Sequence, residues 1–289
     1  MKIIKMKNIL KSLILSLFLI VFMLGKIANT SAYSSVCEVV ILQSNGKILH
    51  AQNASITRPM ASTTKIITCI TVIEYFDLND IVTIKPEWVG VEGSSIYLRA
   101  NEQLTVKELL YGLMLRSGND CALTLACALC GNVENFTVLM NDLAERAGAQ
   151  NSCFKNPHGL DEEGHFTTAY DLAMITRYAM NNEVFKEIVS TKKVEIGQGD
   201  SRRMLYNKNK LLSNYEYATG VKTGYTKKAG RCLVSSANKN GVELICVVLN
   251  CGPMFERSKQ LLEECFQRID SGKIIEQNVK QIKKYCKNT

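Results

Sequence analysis

Ser62-Thr-Thr-Lys65 sets a hydroxyl and an amine three residues apart, after Arg58-Pro59 and before the apolar run 66–73. If a helix begins there, residues three apart share a face, and the amine can take the proton of the hydroxyl. A serine activated in this way is a nucleophile for acyl transfer, and a helix N-terminus favours the oxyanion that follows. Spacing alone selects nothing, because Ser-x-x-Lys occurs five times, at Ser44, Ser62, Ser152, Ser190 and Ser236. Two other short patterns carry compatible chemistry. Ser117-Gly-Asn119 offers a hydroxyl and a side-chain amide, and Lys222-Thr223-Gly224 offers a second amine beside a hydroxyl. Ser-x-Asn recurs at Ser236, whereas Lys-Thr-Gly occurs once.

The elements that must position these residues follow from local signals. Residues 37–43 and 47–50 read as strands around the turn Ser44-Asn45-Gly46, so the Ser44 match falls in a turn. The Ser62 helix runs to about residue 75. Residues 79–104 read as short extended pieces and turns, and Thr105-Val-Lys-Glu108 is a capping box opening the next helix. That helix ends at Ser117-Gly118-Asn119-Asp120, and further helices are expected over 121–129, 134–147 and 168–180. Residues 190–212 read as polar and extended. Late strands over 218–225, 231–237 and 242–250, the last two joined by Asn238-Lys-Asn-Gly241, precede a helix over 255–269. Strands at both ends with helices between them predict an α+β (mixed α/β) fold. One antiparallel sheet forms from the terminal strands, the Ser62 helix packs on it, and a helix-rich subdomain fills the middle.

Residues 1–32 form a separate object. Lys2, Lys5, Lys7 and Lys11 precede an apolar stretch over 13–24, and Thr30-Ser31-Ala32 supplies small residues at a cleavage position. The segment reads as a secretory signal peptide, with an uncleaved anchor as the alternative; either way the rest of the chain is exported. Removing its five lysines from the formal charge of +8 leaves +3, with no dense basic stripe, which argues against a nucleic-acid partner. The remaining chain divides into one domain over 33–270 and a short basic tail over 271–289, whose Val279, Ile282 and Tyr285 make only a scant apolar face. Membrane contact is therefore expected only through an uncleaved N-terminal segment. The eleven cysteines are odd in number and lie mostly within apolar patterns, so they are expected as buried thiols rather than a disulfide framework. Cys127-Ala-Leu-Cys130 lies inside a helical pattern with no second pair nearby, which disfavours a metal or redox site.

The three motifs in this order match the set of penicillin-binding proteins and class A β-lactamases, with Ser117-Gly-Asn119 in place of Ser-Asp-Asn, the form expected of the carboxypeptidase group. Over roughly residues 36–270 the sequence resembles the low-molecular-mass penicillin-binding proteins, the serine D-alanyl-D-alanine carboxypeptidases of peptidase family S11. The resemblance is carried by Arg58-Pro-Met-Ala-Ser-Thr-Thr-Lys65, Ser117-Gly-Asn-Asp120, Phe154-Lys-Asn-Pro-His-Gly-Leu160, Thr168-Ala-Tyr-Asp-Leu172 and Gly220-Val-Lys-Thr-Gly-Tyr-Thr226. It implies a β-lactamase/transpeptidase-like fold and removal of the terminal D-alanine from peptidoglycan stem peptides through a Ser62 acyl-enzyme, with β-lactams as acylating inhibitors. It implies Lys65 as the base, Ser117 as proton relay to the leaving amine, and Asn119 as a holder of the substrate amide. The oxyanion would be met by the backbone N–H groups of Ser62 and Tyr225. Lys222, Thr223 and Gly224 would lie along the substrate, and Arg257, 35 residues after Lys222, would bind its carboxylate; a solvated helix-start arginine is the alternative.

Other readings compete. A class A-like β-lactamase needs a carboxylate to activate deacylating water, and no Glu-x-x-Leu-Asn pattern lies between Ser117 and Lys222. A non-catalytic penicillin-binding sensor or wall-binding protein is expected to have lost one of the chemical residues, and all are present. His158 and His165, with acids between them, lack any tight metal-ligand spacing, so neither a metal nor another cofactor is expected.

Overall fold

The computed structural model describes residues 35–272. The expected export segment, residues 273–289 of the expected basic tail and Cys286 lie outside the described residues. The chain opens with β1 (Cys37–Leu42) and β2 (Ile48–Gln52), an antiparallel hairpin. A 3-10 turn over Ala61–Thr64 then leads into α1 (Lys65–Tyr75). β3 (Ile81–Thr83) pairs with β4 (Gln103–Thr105), and α2 (Val106–Leu115) follows at once. Thr105 caps α2 in the expected box: its hydroxyl accepts from Glu108 N while the Glu108 carboxylate accepts from Thr105 N.

α3 (Asn119–Cys130), α4 (Val133–Arg146), α5 (Ala169–Ala179) and α6 (Glu183–Ser190) complete the middle, the last three with Asn132, Thr168 and Asn182 side chains as N-caps. The stretch expected to be extended holds a ribbon of β5 (Lys193–Ile196) and β6 (Arg203–Tyr206) and the short α7 (Leu211–Asn214). β7 (Ala218–Thr226), β8 (Gly230–Lys239), β9 (Val242–Leu249) and α8 (Met254–Asp270) close the fold. α6 is the helix that sequence reading missed, although Asn182 followed by Val184, Phe185, Ile188 and Val189 carries both a cap and a helical stripe.

The terminal strands pair as expected, in one five-stranded antiparallel sheet of order β2-β1-β9-β8-β7. Both faces of that sheet are covered, because its strands alternate between two cores. Val39, Ile41, Ile245, Val247 and Val234 face α1 and the helical middle, while Val40, Leu244, Val248 and Leu233 face α8. α1 lies between sheet and helices, with every residue from Lys65 to Val72 buried. The described cysteines fill this interior as thiols, seven of them buried.

Candidate functional site

Ser62 lies one turn ahead of the α-helix rather than within it. The 3-10 geometry of residues 61–64 helps the chemistry, since three residues per turn place i and i+3 in line. Lys65 Nζ accordingly stands 3.2 Å from Ser62 Oγ. The same nitrogen donates to Asn119 Oδ1 and to the His158 carbonyl, each at 2.6 Å. Lys65 has no solvent exposure, and burial, reinforced by the positive charge of Lys222, holds its pKa well below the ordinary lysine value.

Each of these partners is itself fixed. Asn119 is the first residue of α3, and its Nδ2 donates to the Glu92 carbonyl at 2.6 Å. Beside it, the buried Asp120 carboxylate accepts from Ser95 Oγ and from the backbone N–H groups of Ile96 and Leu98, tying the 94–98 loop to the helix start. The loop carrying His158 is tied down by Gly159 N donating to Asn156 Oδ1 and Thr68 Oγ1 donating to the Pro157 carbonyl. Gly159 has φ +89°, and a Cβ there would lie 2.0 Å from the Ala61 carbonyl oxygen, so the loop can press on the serine turn only with glycine at this position.

The two histidines serve this loop. Leu160 N donates to His158 Nδ1. His165 Nδ1 accepts from Lys155 N, so its Nε2 carries the proton and donates to Thr64 Oγ1. Burial pushes the His158 pKa down to about 3 and that of His165 to about 4, which keeps both neutral. Among the described residues no group of three His, Cys, Asp or Glu side chains is placed to hold a metal ion.

β7 forms the opposite wall. Gly224 abuts the serine turn, where a Cβ would lie 3.0 Å from Ser62 N and 3.1 Å from Met60 O and Thr63 N. Lys222 is buried, donates to the Thr223 carbonyl at 2.9 Å, and has its pKa lowered to about 7 by burial and then by Lys208. Ser62, Ser117, Thr223, Gly224 and Tyr225 line one cleft of about 300 Å³, together with Ser94, Lys208, Met254 and Phe255. Ser117 adopts the left-handed conformation, φ +65°, a costly state for a non-glycine residue and one that gathers at functional sites.

The structure thus assembles Ser62, Lys65, Ser117, Asn119, Lys222, Thr223, Gly224 and Tyr225 around one point. Arg257 departs from expectation. It is not on the cleft lining, because its guanidinium makes a bidentate pair with the buried Glu38 of β1, at 2.8 and 2.7 Å, and a third bond to Gln260. The cleft's additional cation is Lys208, which sequence reading missed; its Nζ donates to Ser94 Oγ at 2.9 Å. Its only sequence signal was its place in the polar stretch between α6 and β7.

The remaining Ser-x-x-Lys matches lose their meaning here. Ser152 Oγ donates to Asp171, Ser190 ends a helix, and Ser236 and Lys239 stand three apart on a strand, where they point to opposite faces.

The fold that carries this serine–lysine pair is shared with solved DD-peptidases. A DD-transpeptidase from Streptomyces superposes with a TM-score of 0.74 at 31% identity, covering 80% of this chain and 97% of that one. A D-alanyl-D-alanine carboxypeptidase from Mycobacterium tuberculosis gives 0.71 at 31% identity, covering 74% and 81%. The Peptidase_S11 model, D-alanyl-D-alanine carboxypeptidase, matches residues 25–252, and the chain belongs to that serine peptidase family. Its similar relatives include the carboxypeptidase DacF of Bacillus subtilis, 32% identical over 94% of this chain and 74% of that protein. DacC of Escherichia coli is 36% identical over 75% of this chain, but the match spans only 58% of the longer relative.

Proposed function

We propose that this chain removes the terminal D-alanine from peptidoglycan stem peptides by serine acyl transfer. The observation that carries this reading is the bonding of Lys65. A neutral amine has two N–H bonds and one lone pair. Asn119 Oδ1 and the His158 carbonyl can only accept, so they take both N–H bonds and leave the lone pair for the Ser62 hydroxyl. Burial and Lys222 supply the depressed pKa that keeps the amine neutral.

Ser62 Oγ attacks the carbonyl carbon of the penultimate D-alanine while its proton passes to Lys65. The oxyanion is met by backbone N–H groups of Ser62 and Tyr225, which the close approach of β7 to the serine turn supports. Collapse breaks the peptide bond, and the proton reaches the leaving amine through Ser117. Water then hydrolyses the ester and restores Ser62. Asn119 orients Lys65, while Thr223 and the cations of the cleft meet the substrate's carboxylate. A β-lactam would acylate Ser62 by the same first step.

Residues 1–32 act as the export segment in this reading, 33–270 as the catalytic domain and 271–289 as a basic tail, with the enzyme working on the extracytoplasmic face of the membrane or in the wall. The test is D-alanine release from a peptide ending in D-Ala-D-Ala, alongside labelling by a fluorescent penicillin. Both are expected in the wild type and neither in Ser62→Ala. Labelling without release would overturn the carboxypeptidase reading, and release surviving in Ser62→Ala would overturn the mechanism.

A further inference from the structure

Tyr97 stands on the 94–98 loop in the left-handed conformation, φ +60°, with 83% of its surface exposed. A bulky aromatic residue seldom adopts that backbone state. The loop is held in it from both sides. From α3, Asp120 accepts from Ile96 N and Leu98 N, and Ser95 Oγ, itself donating to Asp120, accepts from Tyr97 N at 2.7 Å. From β6, Arg203 donates to the carbonyls of Ile96 and Tyr97 while paired with Glu102. The framework fixes the peptide groups around Tyr97 and leaves its ring in solvent.

The loop that carries Tyr97 also borders the catalytic cleft, where Ser94 is part of the lining. Tyr97 comes three positions after Ser94, so their Cα atoms are at most about 10 Å apart. A cleft of about 300 Å³ lies at the small end of ligand pockets and takes only the end of a peptide. The acyl side of the substrate must therefore leave the cleft across its rim, advancing about 3.3 Å per extended residue.

We propose that Tyr97 is a docking platform on that rim, whose exposed ring takes the apolar C–H faces of the acyl-side portion of the substrate. Tyrosine suits such a surface because it offers large, rigid, amphipathic area at little conformational cost. The C–H faces can belong to residues of the stem peptide or to the sugar that bears it, and the two sources are separable. The proposal rests on the carboxypeptidase reading above.

The test compares three substrates in wild type, Tyr97→Ala and Tyr97→Phe: an N-acetylated D-Ala-D-Ala dipeptide, a sugar-free pentapeptide ending in D-Ala-D-Ala, and isolated uncrosslinked peptidoglycan. In Tyr97→Ala, KM for the longer substrates should rise roughly three- to tenfold, with kcat and the dipeptide kinetics unchanged. Tyr97→Phe should restore KM. A rise with the pentapeptide assigns the contact to peptide residues, and a rise with the polymer alone assigns it to the sugar. Equal KM for wild type and Tyr97→Ala on both longer substrates would overturn the proposal, as would an equal loss on the dipeptide. Tyr97→Gly guards against misfolding, because glycine accepts the left-handed backbone; it should show the loss of Tyr97→Ala with an unchanged melting temperature. Wild-type inactivity on all three substrates would instead refute the carboxypeptidase reading, and Tyr97 would then be judged by co-sedimentation of Ser62→Ala and Ser62→Ala/Tyr97→Ala with the polymer.

Discussion

Replacing Asn119 by aspartate changes one group next to the proposed base and little else in shape. The neutral amide oxygen 2.6 Å from Lys65 Nζ becomes a carboxylate oxygen. At an effective dielectric of about 20, a unit charge at that distance attracts the ammonium by roughly 6 kcal/mol. Burying the new carboxylate costs several kcal/mol and the Glu92 carbonyl loses its donor, but the attraction outweighs these and the net effect is a rise in the Lys65 pKa. A raised pKa lowers the fraction of neutral amine at fixed pH. Acylation of Ser62 by penicillin at neutral pH should therefore fall in Asn119→Asp, by about tenfold for each unit that the raised pKa stands above the assay pH, and recover as pH is raised. The assay is the rate of mass gain of the intact protein against pH. An unmoved pH midpoint, or a loss that does not recover in alkali, would refute the role given to Lys65.

Three further outcomes are expected. Arg257→Gln leaves the buried Glu38 carboxylate without its bidentate partner and should cost about 3 kcal/mol in urea unfolding while penicillin acylation persists; lost acylation at unchanged stability would return Arg257 to the substrate. Burial opposes ionisation of Glu38, but Arg257 outweighs it and holds the carboxyl below its usual range, so the wild-type pair stabilises at neutral pH and fades as pH falls through that depressed value. Gly159→Ala drives a Cβ into the Ala61 carbonyl at a left-handed position; it should lose about 3 kcal/mol or more and acylate slowly, and a variant as stable as wild type would refute the packing. His158 and His165, with pKa values lowered to about 3 and about 4, bind protons only on unfolding across mildly acid pH, so the melting temperature should fall from about pH 6.5 towards pH 3; His165→Gln should flatten part of that slope.

Local features are legible in the residues themselves. Strand alternation around Val39 and Ile245, the Thr105–Glu108 capping box and the Asn238–Gly241 turn are set within a few residues, and they placed nearly every element. The three motifs, read together with those elements, singled out Ser62 and Lys65 from five matches. The remaining features depend on residues far apart in the chain, which only folding brings together. Lys65 meets Asn119 and the His158 carbonyl, 54 and 93 positions away, contacts that no local pattern announces. Arg257 found Glu38 across 219 positions, and Lys208 reached the cleft from a stretch that carries no motif. Short polar side chains announce turns and caps because their partners are neighbours. A buried cation or an exposed ring takes its role from whichever distant group the fold brings beside it, and no local pattern records that.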